Sequence, residues 1–356
     1  MSVPRTDSDE RAHREEPPDL SSRAIVALDR IVYLLDRSRA PSYRVRTFRR
    51  AADTLSDLAP AELDARAAAG TLEDLPGVGP VIRRVIEECS AGQTPSYVRH
   101  LEEETSVPLS DDARPLLRAL RGDCHVHSTW SDGGASIERM AAAAIRIGHE
   151  YIVMTDHSPR LTIAHGLDRA RLEAQLEEIE ALNERLAPFR ILSGMEVDIL
   201  TEGYLDLDDD LLDRLDVVVA SAHSTLRMEH DAMTERLVRA VSNPHVDVLG
   251  HCTGRIVVGR GRPESSFDPH EVFGACAASG TAVEINCRPE RQDPPDDLLD
   301  IALAAGASLA INTDAHAPGQ LEWQAFGCEK AVAHGVGPQQ VINTLTADEL
   351  IGWTRS

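Results

Sequence analysis

The sequence predicts an α/β protein, a TIM-like (β/α)7 barrel preceded by a small all-α domain. From Asp123 onward, short apolar runs alternate with helical segments about seven times, the pattern of parallel strands joined by helical crossovers. Metal-binding side chains stand at the ends of successive runs, where barrel strands carry their catalytic groups. Upstream, apolar residues recur at helical spacing instead. The expected divisions are a disordered leader over 1–19, a helical domain over 20–105, a linker over 106–121 and the barrel over 122–356.

The N-terminus, MSVPRTDSDERAHREEPPDL, is polar and charged and lacks the apolar stretch of a signal peptide. SRAIVALDRIVYLLDR predicts a helix over 22–37, capped by Ser21 or Ser22. A second helix is expected near 41–57, and a third near 60–69 opened by Pro60. LEDLPGVGPVIRRVIEEC reads as a tight glycine turn between two helical stretches. There Gly77 and Gly79 let backbone N–H groups approach a phosphate at a helix N-terminus. In the barrel, SIERMAAAAIRIG, ARLEAQLEEIEALNERL, HDAMTERLVRAV, DPHEVFGACAASG and DDLLDIALAAG read as the crossover helices.

A chain of 356 residues can bury a large core and hold two domains. No apolar run reaches the ~18 residues of a membrane span. The six cysteines occur singly, without C-x-x-C, which suits reduced thiols and a cytoplasmic location. A net charge of −23 argues at first sight against nucleic acid, but it is unevenly spread. Residues 123–356 carry 18 basic against 38 acidic side chains, whereas 20–105 carry 12 arginines against 13 acids. Within the latter, Arg37, Arg39, Arg44, Arg46, Arg49 and Arg50 run without an intervening acid, as a solvated helix face or as a phosphate contact. Lys330 is the only lysine.

The runs GDCHVHSTWSDG, YIVMTDHS, ILSGMEVDI, VVVASAHS, VDVLGHC and SLAINTDAH supply His125, His127, Asp132, His157, Glu196, His223, His251, Asp314 and His316. Imidazole and carboxylate suit zinc, manganese or iron. Nine donors are too many for one ion, so two or three divalent metals are expected. His125 and His127 are two apart on one strand and share a face, as do Asp314 and His316. Clustered cations acidify a shared water and neutralise phosphate oxygens, so phosphate ester hydrolysis is the matching reaction. Arg160, Arg255 and Arg291 follow strands and are candidates to hold non-scissile phosphates. Asp156 and Asp198 adjoin donors and are expected to orient them.

H-x-H…SDG, TDHS, E-V-D-I, S-A-H-S, G-H-x-T-G-R and N-x-D-A-H together resemble the PHP (polymerase and histidinol phosphatase) domain. TDHSPRLTIAHGLD, LDLDDDLLDRLDVVVASAHS and EINCRPER are similar to the PHP domain of bacterial family X DNA polymerases, and the likeness covers 123–345. It implies a distorted barrel with zinc or manganese. One ion would take His125, His127, Glu196 and Asp314; a second would share Glu196 with His223 and His251. A third would take Asp132, His157 and His316, and Glu196, Asp314 and His223 would carry catalysis.

LPGVGP with SYRVRTFRRAA resembles the helix-hairpin-helix DNA-binding domain of the same polymerases, implying that Gly77, Gly79, Arg49 and Arg50 contact DNA or RNA ends. Two departures stand out. Relatives that excise sugar phosphates use lysine, and VIRRVIEEC offers arginine, which does not deprotonate. Only about twenty residues separate Glu104 from Asp123, too few for a polymerase palm, so no DNA synthesis is expected. The expected function is a metal-dependent phosphoesterase on nucleic acid, a 3′–5′ exonuclease or 3′-end-processing enzyme in DNA repair. The alternatives are a small-molecule phosphomonoesterase and an inert DNA-end binding module.

Overall fold

The computed structural model describes residues 19–356, so the leader expected over 1–19 lies outside it but for Asp19. Two compact units result, one of the residues up to Leu35 and Arg39–Thr105, the other of Asp36–Ser38 and Ser106–Ser356. The first holds helices α1 (Leu20–Arg37, but for its last two residues), α2 (Ser42–Ser56), α3 (Pro60–Ala69), α4 (Pro80–Ser90) and α5 (Ser96–Glu104). Their apolar residues fall three and four apart and turn inward: Val45, Phe48, Ala52 and Leu55 from α2, and Ile82, Val85, Ile86 and Cys89 from α4. The cap of α1 is neither expected serine. Asp19 Oδ1 accepts the Ser22 N–H at 2.7 Å, because the helix already begins at Leu20. Between α3 and α4 the chain turns at Gly77, whose φ of 81° lies in the left-handed region glycine favours.

The segment expected as a linker contains a helix, Arg114–Ala119. Ala113, Leu116 and Leu120 belong to the same buried cluster as Leu249, Ile285 and Ile311, so this stretch is part of the barrel unit. Seven parallel strands follow in sequential order: β1 (Gly122–Val126), β2 (Tyr151–Met154), β3 (Arg190–Asp198), β4 (Val217–Ser221), β5 (Val248–Leu249), β6 (Ala282–Asn286) and β7 (Leu309–Asn312). Cys124, Val153, Leu192, Val219, Val248, Ala282 and Ala310, one from each strand, pack into a single cluster. Leu350 of the helix Ala347–Thr354 joins it.

The barrel is nearly closed, and side chains sew its seam. The only β1-to-β7 pairing among the described residues is one bridge, Val126 to Ala315, beyond the end of β7. Asn312 Oδ1 accepts the Cys124 N–H at 3.2 Å, and Asn343 Oδ1 accepts the Ile311 N–H at 2.7 Å. Gln324 Nε2 donates to the carbonyls of Gly122 and Ile311, both at 3.0 Å. Amides therefore satisfy strand-edge groups that a ladder would otherwise pair.

Candidate metal centre

All nine donors come to one end of this barrel. His125 is in β1 and Glu196 in β3, while His157, His223, His251, Asp314 and His316 sit in the turns just beyond β2, β4, β5 and β7. His127 follows β1 directly and Asp132 lies in the loop after it. Glu196 is the hub. Its Oε2 is 3.3 Å from His125 Nε2, 3.5 Å from His127 Nε2 and 2.9 Å from His157 Nδ1. Its Oε1 is 3.2 Å from His223 Nε2 and 2.8 Å from His251 Nε2. Asp314 Oδ1 approaches His127 Nε2 at 3.4 Å, and Asp132 Oδ1 lies 3.3 Å from His316 Nε2 and 3.5 Å from His157 Nε2.

Apart from the short His157 and His251 contacts with Glu196, these separations fit ions better than hydrogen bonds. Donors about 2.1 Å from a tetrahedral ion stand roughly 3.4 Å apart. His125 Nε2, both nitrogens of His127, His157 Nδ1, His223 Nε2 and Glu196 Oε2 are buried without a hydrogen-bond partner among the described residues. Buried polar atoms are normally satisfied, so unmet ring nitrogens gathered around Glu196 mark a place for cations. Three donor groups could each hold one: His125–His127–Glu196, His157–Glu196–His223, and His127–Asp132–His157–His316.

Charge within the cluster keeps its carboxylates ionised and His127 neutral, while against burial the same carboxylates push His125 well up and His223 up to about 9. Burial alone would raise the Glu196 carboxyl, but His223, His125 and His157 hold it well below its ordinary range. Burial likewise opposes ionisation of Asp314, and Arg288 and His125 overcome it. Burial, with His316 and His157 beside it, keeps His127 well below its usual value and hence neutral.

Further carboxylates anchor the loops that carry the donors. Asp123 accepts the backbone N–H of Thr313 at 3.2 Å, next to Asp314. Asp156 accepts the N–H groups of Ser128 (2.9 Å) and Ser131 (3.1 Å) and the Gln175 amide (2.6 Å), fixing the loop between His127 and Asp132. It orients a loop, not the adjacent His157. Asp198 accepts the His223 backbone N–H at 3.0 Å and lies 3.2 Å from its Nδ1. Asp293 takes the Thr253 hydroxyl at 2.7 Å, two residues past His251.

A model of the PHP domain matches residues 123–265. A probable phosphatase of a Thermoanaerobacter species is 32% identical over 206 residues, 54% of this chain and 78% of that one. The chain belongs to the PHP domain family. It is therefore a metal-dependent phosphoesterase. The DNA polymerase/3′-5′ exonuclease PolX of Bacillus subtilis is 44% identical over 200 residues, 56% of this chain but only 35% of the polymerase, so the PHP chain spans about a third of that relative. A histidinol phosphate phosphatase from Lactococcus lactis, solved with zinc, histidinol and phosphate, aligns over 61% of this chain and 94% of its own, at 20% identity and a TM-score of 0.45.

The candidate arginines of the PHP domain part company. Arg291 enters the cluster: its Nε donates to Asp314 Oδ2 at 3.1 Å, and its buried Nη1 has no partner among the described residues. Arg255 is turned to the backbone, donating to the carbonyls of Arg291 (3.1 Å) and Gln292. Arg160 is largely exposed, with Asp206 Oδ1 at 3.7 Å. In the helical unit, Gly79 directly precedes α4, Arg49 is half-buried and Arg50 is exposed, its stem beside Gly77. Two residues at the cluster do not stand out in the sequence as site residues. Arg288 reaches Asp314 Oδ1 (3.3 Å) and His316 Nδ1 (2.9 Å), and Glu284, inside β6, lies 2.7 Å from His125 Nδ1. A signal for Glu284 is present nonetheless, a lone acid inside the apolar run AVEIN.

Proposed function

We propose that this PHP phosphoesterase hydrolyses phosphodiesters at nucleic-acid ends, as a 3′–5′ exonuclease or 3′-end-processing enzyme of DNA repair. The observation that carries the reading is the presence, on one chain, of the donor cluster and a glycine hairpin flanked by exposed guanidiniums. Arg46 and Arg50 are exposed on α2, and neither is ion-paired among the described residues. Such groups, with Gly77 and Gly79 opening the way to the N-terminus of α4, suit a phosphate backbone. The 44% identity to a polymerase/exonuclease supports the same substrate class. Six buried, unpaired cysteines suit work in a reducing cytoplasm.

The nine donors would hold two or three divalent ions, zinc or manganese, apportioned as the family resemblance implies. Bound there, such ions would acidify water and neutralise phosphate oxygens and the departing alkoxide. The chain's own side chains do the rest. Glu196 and Asp314 hold the imidazoles at fixed spacing, and Asp198 directs His223 Nε2 at Glu196. Arg291 offers its unpartnered Nη1 to a non-scissile phosphate oxygen. Arg255 braces the loop bearing Arg291. Arg160, exposed beside Asp206, would meet a phosphate farther along the strand.

A second reading, a small-molecule phosphomonoesterase, is favoured by the probable phosphatase of which 78% is covered. Labelled single-stranded DNA assayed beside histidinol phosphate and p-nitrophenyl phosphate, with manganese, zinc or EDTA, separates the two. Turnover of the small esters alone overturns the nuclease reading. Under that reading, replacing Arg49 and Arg50 together by Ala weakens cleavage of long DNA, most at low salt, and leaves small esters untouched.

A further inference from the structure

The proposed chemistry leaves one fully buried carboxylate without a task. Glu284 of β6 is surrounded by hydrogen donors: the His251 backbone N–H at 2.7 Å, Asn286 Nδ2 at 3.0 Å and Asn312 Nδ2 at 3.1 Å. The fourth neighbour is His125 Nδ1, at 2.7 Å. An ionised carboxylate only accepts, so this imidazole carries a proton on Nδ1, which leaves Nε2, on the side of Glu196 and Asp314, as the atom that would bind an ion. The same carboxylate grips the backbone of His251, whose Nε2 reaches the other oxygen of Glu196 at 2.8 Å.

We propose that Glu284 is a positioning residue: it fixes the tautomer and aim of His125 and the placement of His251, and thereby sets the affinity of the ion held by His125, His127 and Glu196. The inference rests on reading the cluster as a metal centre. It adds that the ions are unequally supported. The donors Asp132, His157 and His316 make no contact with Glu284, so an ion there should not depend on it. Gln at this position has nearly the same volume but brings an N–H2 group among donors, so it cannot replace the carboxylate. Losing the partner of a ligating histidine typically costs 10–100-fold in metal affinity.

The test strips the full-length chain with a chelator and titrates Zn2+ or Mn2+ by calorimetry, with bound metal counted by elemental analysis. A wild-type chain that binds no divalent ion defeats the metal-centre reading itself. Given wild-type loading, Glu284→Gln should bind the ion at His125 about 10–100-fold more weakly, or lose it, while the ion at Asp132, His157 and His316 keeps wild-type affinity. Unchanged affinity for every ion overturns the proposal, and so does equal weakening of all of them, which would mean general loosening. If Glu284→Gln does not fold, long-range 15N–1H NMR of the metal-loaded wild type decides. His125 protonated on Nδ1 supports the assignment, and protonation on Nε2 overturns it.

Discussion

At the mouth of the barrel, buried acids lie among imidazoles, guanidiniums and amides; at the opposite end, Asp247 is buried against a single backbone N–H. Glu196 touches five imidazoles and Glu284 accepts hydrogens from four groups. Among the described residues, the carboxylate of Asp247, just before β5, accepts only from the Val218 N–H, at 2.7 Å. Both ends bury carboxylates, but only the mouth compensates the charge. The difference separates burial that organises a site from burial that merely costs stability. The mouth is not free of cost either, because its imidazole lone pairs face one another without donors.

The sharpest way to break the contrast is to remove the hub. Glu196→Ala should lower phosphoesterase turnover by at least about a thousandfold, since the residue joins two of the three donor groups. Bound metal measured beside turnover should fall with it. Retained activity would show that the cluster is not the reacting centre. Metal removal comes next. If the unmet lone pairs are ligands, divalent ion at a hundredfold excess over its Kd should stabilise the chain by about 2.7 kcal/mol per site. Melting curves with EDTA and with added zinc or manganese would show it, and coincident curves would contradict it. Asp198→Ala should be milder, about 10–100-fold in activity or metal affinity, because His223 would lose its orienting partner but keep its place after β4.

That gradient follows what could be seen in the sequence. The seven strands and nine donors were legible because a fold with no metal to bind has no reason to end one apolar run after another in imidazole or carboxylate. The residues that hold the donors were harder to see. Asp156 and Asp198 both adjoin donors in the chain, yet Asp156 serves a different loop, through Ser128 and Ser131. Glu284 acts across the barrel on His125, 159 positions away in sequence, a pairing that exists only once the strands are ordered. Arg160 and Arg255 look alike as arginines after strands, and one is turned outward beside Asp206 while the other is spent on backbone carbonyls. The seam amides Asn312, Asn343 and Gln324 carry no pattern, since a lone Asn or Gln signals nothing until an open strand edge stands beside it.

The smallest expected effect lies at the quiet end of the barrel, and it has a definite sign. Burial lifts the Asp247 carboxyl from its ordinary 3.8 to about 8, opposed only by the Val218 N–H. Below about pH 4 the group is protonated folded or unfolded, and the fold carries no penalty from it. As pH rises towards 8, the unfolded chain ionises freely while the folded chain must hold its proton, so stability drains away; above 8 the loss levels off. Asp247→Asn keeps an oxygen for the Val218 N–H and cannot ionise. It should therefore be more stable than wild type by on the order of 2 kcal/mol at pH 8, and by nothing near pH 4. Denaturant midpoints of the two chains across that range, both in EDTA so that the mouth does not contribute, should diverge steadily with pH. Parallel curves would mean that Asp247 finds water or a partner in solution, and that the two ends of the barrel differ less than their burial implies.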